Sequence, residues 1–212
     1  MDDSLPFADR TDAGARLGTL FAERDVEADL VLAIPRGGLP VGRAVADSLS
    51  VPLDVIVARK IGAPENAELA IGSVGADGSV WRNEDLIARL AVSDQYIEKA
   101  ATREERAARE KRDRYRGERE PLDLTERVVL LVDDGIATGA TTVACIRQAR
   151  AAGAKRVLVA VPVAPPEAVS DLRAEADDVI AVARPANFGA VGQFYRSFEQ
   201  VSDEEAITYL DS

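Results

Sequence analysis

Apolar residues in this chain gather in short unbroken runs instead of alternating with polar ones. Leu30–Ile34 (LVLAI), Leu53–Ala58 (LDVIVA), Val128–Val132 (VVLLV) and Val157–Val163 (VLVAVPV) are rich in β-branched residues. Runs of this kind suit strands covered on both faces, as in a parallel sheet. Val179–Ala183 (VIAVA) reads as a fifth. Between the runs lie segments of helical period: Ala13–Glu23, Pro40–Leu49, Thr141–Ala152 and Glu167–Ala174. The alternation predicts an α/β fold, a largely parallel sheet with helices on both faces.

The middle of the chain departs from this rhythm. Leu69–Val74 and Ser79–Trp81, split by Gly75–Gly78 (GADG), predict a β-hairpin. A polar helix follows over Asp94–Arg116, with charges of alternating sign at i, i+3 and i+4. That pattern predicts a solvated, exposed helix; an oligomer contact or a lid is the functional alternative. Pro121–Leu124 reads as a connector into the next strand. The chain is therefore expected to be a single domain over 1–212, with an insertion spanning about 69–120.

Composition narrows the function classes. The 212 residues are 47% hydrophobic, enough for a real core. No run approaches the roughly eighteen apolar residues of a membrane span. The opening residues, MDDSLPFADR, lack the basic-then-apolar pattern of a signal peptide, so a cytoplasmic protein is expected. The formal net charge is −11, which repels nucleic-acid phosphates and argues against a DNA- or RNA-binding role. Lysines are scarce: Lys60, Lys99, Lys111 and Lys155. Acidic excess with few lysines suggests a salt-adapted cytoplasm. The chain has no histidine, which excludes the commonest general base, the usual zinc ligand and a Ser-His-Asp triad. Its single cysteine, Cys145, sits in a helical pattern and reads as a packing residue.

In open α/β sheets, ligands sit at the carboxyl ends of strands, in loops leading into helices. Two glycine-bearing loops occupy such places. The first lies in Val128–Thr142, VVLLVDDGIATGATT. Gly135 and Gly139 let the backbone turn tightly, and successive amides in such a loop converge on an anion. The following helix adds the positive end of its dipole, and Thr138, Thr141 and Thr142 add hydroxyl donors. Residue 140 is Ala and no lysine follows, so the GxxxxGK[ST] pattern is not met. Asp133 and Asp134 beside a phosphate cradle would repel its ligand unless they had other work; accepting hydrogen bonds from the vicinal hydroxyls of a ribose is such work.

This segment is similar to the phosphoribosyl-pyrophosphate (PRPP) motif of type I phosphoribosyltransferases: hydrophobic residues, two acids, then a small-residue loop rich in threonine and glycine. The resemblance implies that Asp133 and Asp134 hold the ribose hydroxyls. It places the 5-phosphate on Ala137, Thr138, Gly139, Ala140 and Thr141, with Gly135 among the PRPP-binding residues. It also implies a phosphoribosyltransferase-like core with a C-terminal hood, here about 184–212.

The second loop is Ile34-Pro35-Arg36-Gly37-Gly38-Leu39-Pro40. Arg36 offers a planar fork of donors suited to phosphate oxygens, while Gly37 and Gly38 permit unusual backbone angles and close approach. It resembles the family's pyrophosphate loop, which often holds a cis non-proline peptide. After the second strand, Arg59 and Lys60 begin a stretch expected to be a flexible loop. The resemblance makes them pyrophosphate contacts; otherwise they are a surface cation pair. Glu65 and Glu68 are further acid/base candidates that no spacing singles out.

The implied reaction transfers the phosphoribosyl group from PRPP to a nitrogen acceptor, a nucleobase in nucleotide metabolism such as purine salvage, releasing pyrophosphate. Arg36, Lys60, Asp133 and Asp134 would carry it, with Mg²⁺ arriving on PRPP and not in a protein cage. A non-catalytic PRPP sensor on the same fold is the alternative. In 6-oxopurine members an aspartate stands where this chain has Ala137, which weakens that acceptor class and leaves adenine. Phe188, Phe194 or Tyr195 could stack on a base, or could pack the C-terminal tail onto the sheet. Ser202-Asp203-Glu204-Glu205 resembles a capping box. The resemblance also implies a homodimer.

Overall fold

The computed structural model describes residues 5–211, with the Glu68 side chain outside the description. In chain order its strands are β1 (Leu30–Ala33), β2 (Leu53–Val55), β3 (Ala58–Ala63), β4 (Asn66–Gly75), β5 (Val80–Arg82), β6 (Val128–Val132), β7 (Arg156–Val163) and β8 (Asp178–Ala183). The helices are α1 (Arg10–Glu23), α2 (Gly38–Leu49), α3 (Glu84–Arg89), α4 (Asp94–Arg116), α5 (Ala140–Ala151), α6 (Pro166–Leu172) and α7 (Asp203–Asp211). Five strands form one parallel sheet in the order β2-β1-β6-β7-β8.

The apolar runs are continuous because successive side chains point to opposite, equally covered faces. Val31, Leu130, Val132, Leu158 and Ala160 pack with Leu17 and Phe21 of α1 and Val41 and Val45 of α2. Their neighbours Leu30, Leu32, Val129, Leu131, Val157 and Val159 face the other way, onto Ala144, Cys145, Ile146 and Ala149 of α5 and Val169 and Leu172 of α6. Each fully buried Leu, Ile or Val in these layers is worth roughly 1.5–3 kcal/mol relative to an exposed one. Cys145 is free and fully buried, and that burial pushes its thiol up and out of the reactive range.

Two expectations about the stretch after β1 need correction. The run Leu53–Ala58 is not one strand. β2 ends at Val55, and β3 starts a separate antiparallel sheet, β3-β4-β5. The stretch after Arg59, expected to be a flexible loop, is therefore mostly strand. Ile61 and Ala63 bury into a cluster with Ile71, Val74, Leu86 and Ile97. Register shifts on either side of Gly62 break the alternation that would have announced it. The predicted hairpin exists, with β4 longer than expected, and α3 follows under an Asn83 cap whose side chain accepts from Leu86 N at 3.0 Å.

Helix α4 keeps its predicted bounds but is not solvated all round. Ile97, Ala100, Ala101, Ala108 and Tyr115 are buried, Tyr115 at 1% exposure. Arg116 near its end reaches Asp54 of β2 through Nη2 at 2.7 Å and Nε at 3.2 Å. Helix α7 packs on α2 and α4, and Ser202 Oγ accepts from Glu205 N at 3.0 Å, as the capping pattern predicts. Among the described residues no helix is long and apolar enough to cross a membrane.

Candidate functional site

The sheet brings the two glycine loops together, because β1 and β6 are neighbours and both loops leave from carboxyl ends. Ile34 N donates to Val132 O at 2.9 Å and extends that pairing into the loops. After Asp133 and Asp134, Ile136 N is fixed on Val163 O at 3.0 Å, and Gly139 takes a left-handed φ of 77° to open α5. The first-turn amides of α5, from Ala140 onward, have no helical acceptor. Ala137, Thr138 and Thr141 are exposed around them. Thr142 is not: it is 2% exposed and faces the interior, so it drops out of the set of hydroxyl donors.

The loop at Pro35–Gly38 lies directly against the two acids. A β-carbon on Gly37 would stand 1.9 Å from Asp134 Oδ2, and one on Gly38 would stand 2.8 Å from Val132 O and 3.0 Å from Asp133 Cα. Gly37 has an ordinary helical φ of −60°, so its function is close approach and not an unusual backbone angle. The Pro35–Arg36 peptide bond is cis.

The acids are not equivalent. Burial, reinforced by the neighbouring Asp134 charge, pushes the Asp133 carboxyl well above the ordinary carboxylate range. Asp134 Oδ2 instead accepts from Arg10 Nε at 2.8 Å, with both side chains about seven-eighths buried. Arg10 also donates to Glu199 O at 2.7 Å and stacks 3.9 Å over the Phe198 ring. Tyr195 OH donates to the Asp134 carbonyl at 2.5 Å. Arg10 is a site residue that no local spacing revealed, because 124 positions separate it from Asp134.

Arg59 and Lys60 line a cavity of about 780 Å³, whose walls include Pro35, Glu104, Lys111, Thr138 and Thr141. Arg59 Nε donates to Glu104 Oε2 at 2.6 Å. Burial of Glu104 opposes ionisation, but hydrogen bonds from Arg59 and Arg103 outweigh it and hold the carboxyl below its usual value. A second cavity, about 550 Å³, is bordered by Arg36, Arg59, Lys111, Arg114, Tyr115 and Asp203. Arg36 Nη1 is 3.7 Å from Asp203 Oδ1, which also accepts from Tyr115 OH at 2.6 Å.

The aromatic candidates separate. Phe194 and Tyr195 are 8% and 7% exposed, packed with Phe7, Val163 and Ala183. Phe7 and Tyr195 ring centroids are 5.3 Å apart, and Phe194 and Tyr195 pack the tail onto the sheet. Phe188 is half-buried and borders a hollow of about 500 Å³ with Ala137, Thr138, Pro165 and Asp171. Glu65 is exposed at the β3–β4 turn; Glu68 falls outside the described side chains. Among the described residues no group of three or more carboxylate or thiol side chains could hold a metal ion.

Comparison with known proteins shows the family. Residues 14–198 match the family model for the phosphoribosyl transferase domain. A Thermus thermophilus protein of known crystal structure, TT1426, is 42% identical, with a TM-score of 0.87 over 97% of this chain and 98% of that one. Proteins from two strains of Mycobacterium tuberculosis, named as provisional phosphoribosyl transferases, are 42% identical over 205 residues. That stretch is 97% of this chain and 46% of theirs, so the chain spans about half the length of the curated relatives it matches. The chain belongs to the phosphoribosyl transferase domain family.

Proposed function

We propose that the chain transfers the 5-phosphoribosyl group of PRPP to a nitrogen acceptor, releasing pyrophosphate. One observation carries this: an amide loop opening α5 and two acids ending β6 lie under the Arg36 loop. In this reading the 5-phosphate sits on the amides from Ala137 to Thr141, with Thr138 and Thr141 adding hydroxyls. The ribose diol donates to Asp133 and to the Asp134 oxygen not held by Arg10. Arg36, Arg59 and Lys60 receive the pyrophosphate.

The C1–O bond to pyrophosphate breaks with its electron pair leaving on oxygen, the acceptor nitrogen forms the new bond to C1, and its proton passes to solvent. Positive charge grows on the sugar and negative charge on the leaving group, so positioning and preset cations do most of the catalysis. Magnesium would neutralise pyrophosphate charge and would arrive on PRPP, with substrate oxygens and water filling its shell and no protein cage. No carboxylate stands at Ala137 to handle an acceptor proton, which favours adenine over a 6-oxopurine. A cytoplasmic homodimer in purine salvage is the setting this reading implies.

A PRPP sensor is the second reading. Its support is that Arg59 lies against Glu104 and Arg36 against Asp203, so pyrophosphate must compete with internal carboxylates. Incubation with PRPP, Mg²⁺ and a panel of bases separates the two. Coupled pyrophosphate and nucleotide formation with one base is the expected result. PRPP binding without product from any base selects the sensor, and no PRPP binding overturns both.

A further inference from the structure

Helix α4 carries a stripe at heptad spacing that faces the body of the protein: Ile97, Ala101, Glu104, Ala108, Lys111 and Tyr115. Four members are buried and apolar or aromatic. The other two, Glu104 and Lys111, are charged, and both border the main cavity. Polarity on an inward stripe has a cost that packing alone does not repay, so these two positions call for a polar neighbour. Glu104 has one in Arg59. Lys111 is half-buried, and its Nζ donates to the Pro35 carbonyl at 3.2 Å, next to Arg36 in the loop over the acids.

Lys111 stands where the two cavities meet, since it borders both. Burial and the Arg59 and Arg36 guanidiniums hold its ammonium below the usual lysine value, while Asp203 and Asp133 pull the other way. Three cations meet at this half-buried point in a chain of net charge −11; Glu104 and Asp203 offset Arg59 and Arg36, whereas the hydrogen bond from Lys111 goes to a neutral carbonyl. An ammonium has three donors, of which Pro35 takes one.

We propose that Lys111, supplied by the inserted helix α4, is a pyrophosphate-binding residue that contacts the leaving group together with Arg36 and Arg59. The proposal rests on the phosphoribosyl-transfer reading and adds a residue to its site. It also gives α4 a function besides packing, since the helix then completes the anion pocket from outside the parallel sheet.

Calorimetric titration of the full chain with inorganic pyrophosphate and Mg²⁺, and separately with ribose 5-phosphate, tests it. Lys111→Met keeps the stem and removes the charge. It should weaken pyrophosphate binding at least about tenfold and leave ribose 5-phosphate binding within about twofold, with Lys111→Arg recovering part of the loss. Unchanged pyrophosphate affinity in Lys111→Met, with ribose 5-phosphate still bound, overturns Lys111 alone. A wild-type chain that binds neither ligand overturns the parent reading and this inference with it. A second measurement needs no destabilising variant. Reductive methylation with ¹³C-formaldehyde labels the lysines, and Lys111→Arg identifies which resonance is Lys111. Pyrophosphate should shift that resonance, and a resonance unmoved at saturation overturns the proposal.

Discussion

Ionised Asp133 works against the ligand-free fold, and the direction of its shift says at which pH. Its folded pKa is raised by burial and by Asp134, whereas the unfolded chain titrates near about 3.9. The contribution of this group to stability is therefore full below about pH 4 and is lost as pH rises through the folded value. Asp133→Asn keeps an oxygen to accept from Asp134 N, now 2.8 Å away, and removes the charge. Thermal melts should show the variant more stable than wild type at pH 7.5 by a few degrees, about 2–4 °C per kcal/mol. The gap should close near pH 4, and ribose 5-phosphate affinity should fall. A variant no more stable than wild type at pH 7.5 would remove the electrostatic account of this site. The acids and both glycine loops were legible in the sequence because each is contiguous and flanked by a strand and a helix. Arg10 and Lys111 were not, because their partners Asp134 and Pro35 lie 124 and 76 positions away.

Among elements, the parallel strands and their helices were readable from runs covered on both faces. The second sheet was only half readable. β3 begins with Ala58-Arg59-Lys60 and carries irregular pairing around Gly62, so its composition resembles a loop while its backbone is paired. Helix α4 shows the opposite error. Its bounds follow from the charge pattern, but its arginines hide a docked stripe. Docking gives a sharp contrast along one helix. Arg116→Ala would strand Asp54, whose side chain is 8% exposed, and should cost about 3–5 kcal/mol by chemical denaturation. Arg106→Ala removes a pair with Glu110 on the solvent face and should cost under about 0.5 kcal/mol. Equal, small losses at both positions would mean α4 is not held against the sheet.

The molecule as a whole joins a net charge of −11 to a cationic pocket built from three separate elements: the loop after β1, strand β3 and helix α4. An acidic body discourages polyanions at large, and under the proposed function the pocket takes one small anion where Arg36, Arg59 and Lys111 meet. The same plan puts the Ala137–Thr141 loop across from them, because neighbouring strands β1 and β6 end side by side. Fold class and the small-residue loop between β6 and α5 were legible from sequence; the cation pocket appears only when the insertion folds back over the sheet. The most direct test is a crystal soaked in ribose 5-phosphate. The account predicts the phosphate on the amides of 137–141, with the 2- and 3-hydroxyls on Asp133 and Asp134. Ligand bound elsewhere, or a bare loop at saturating concentration, would contradict it.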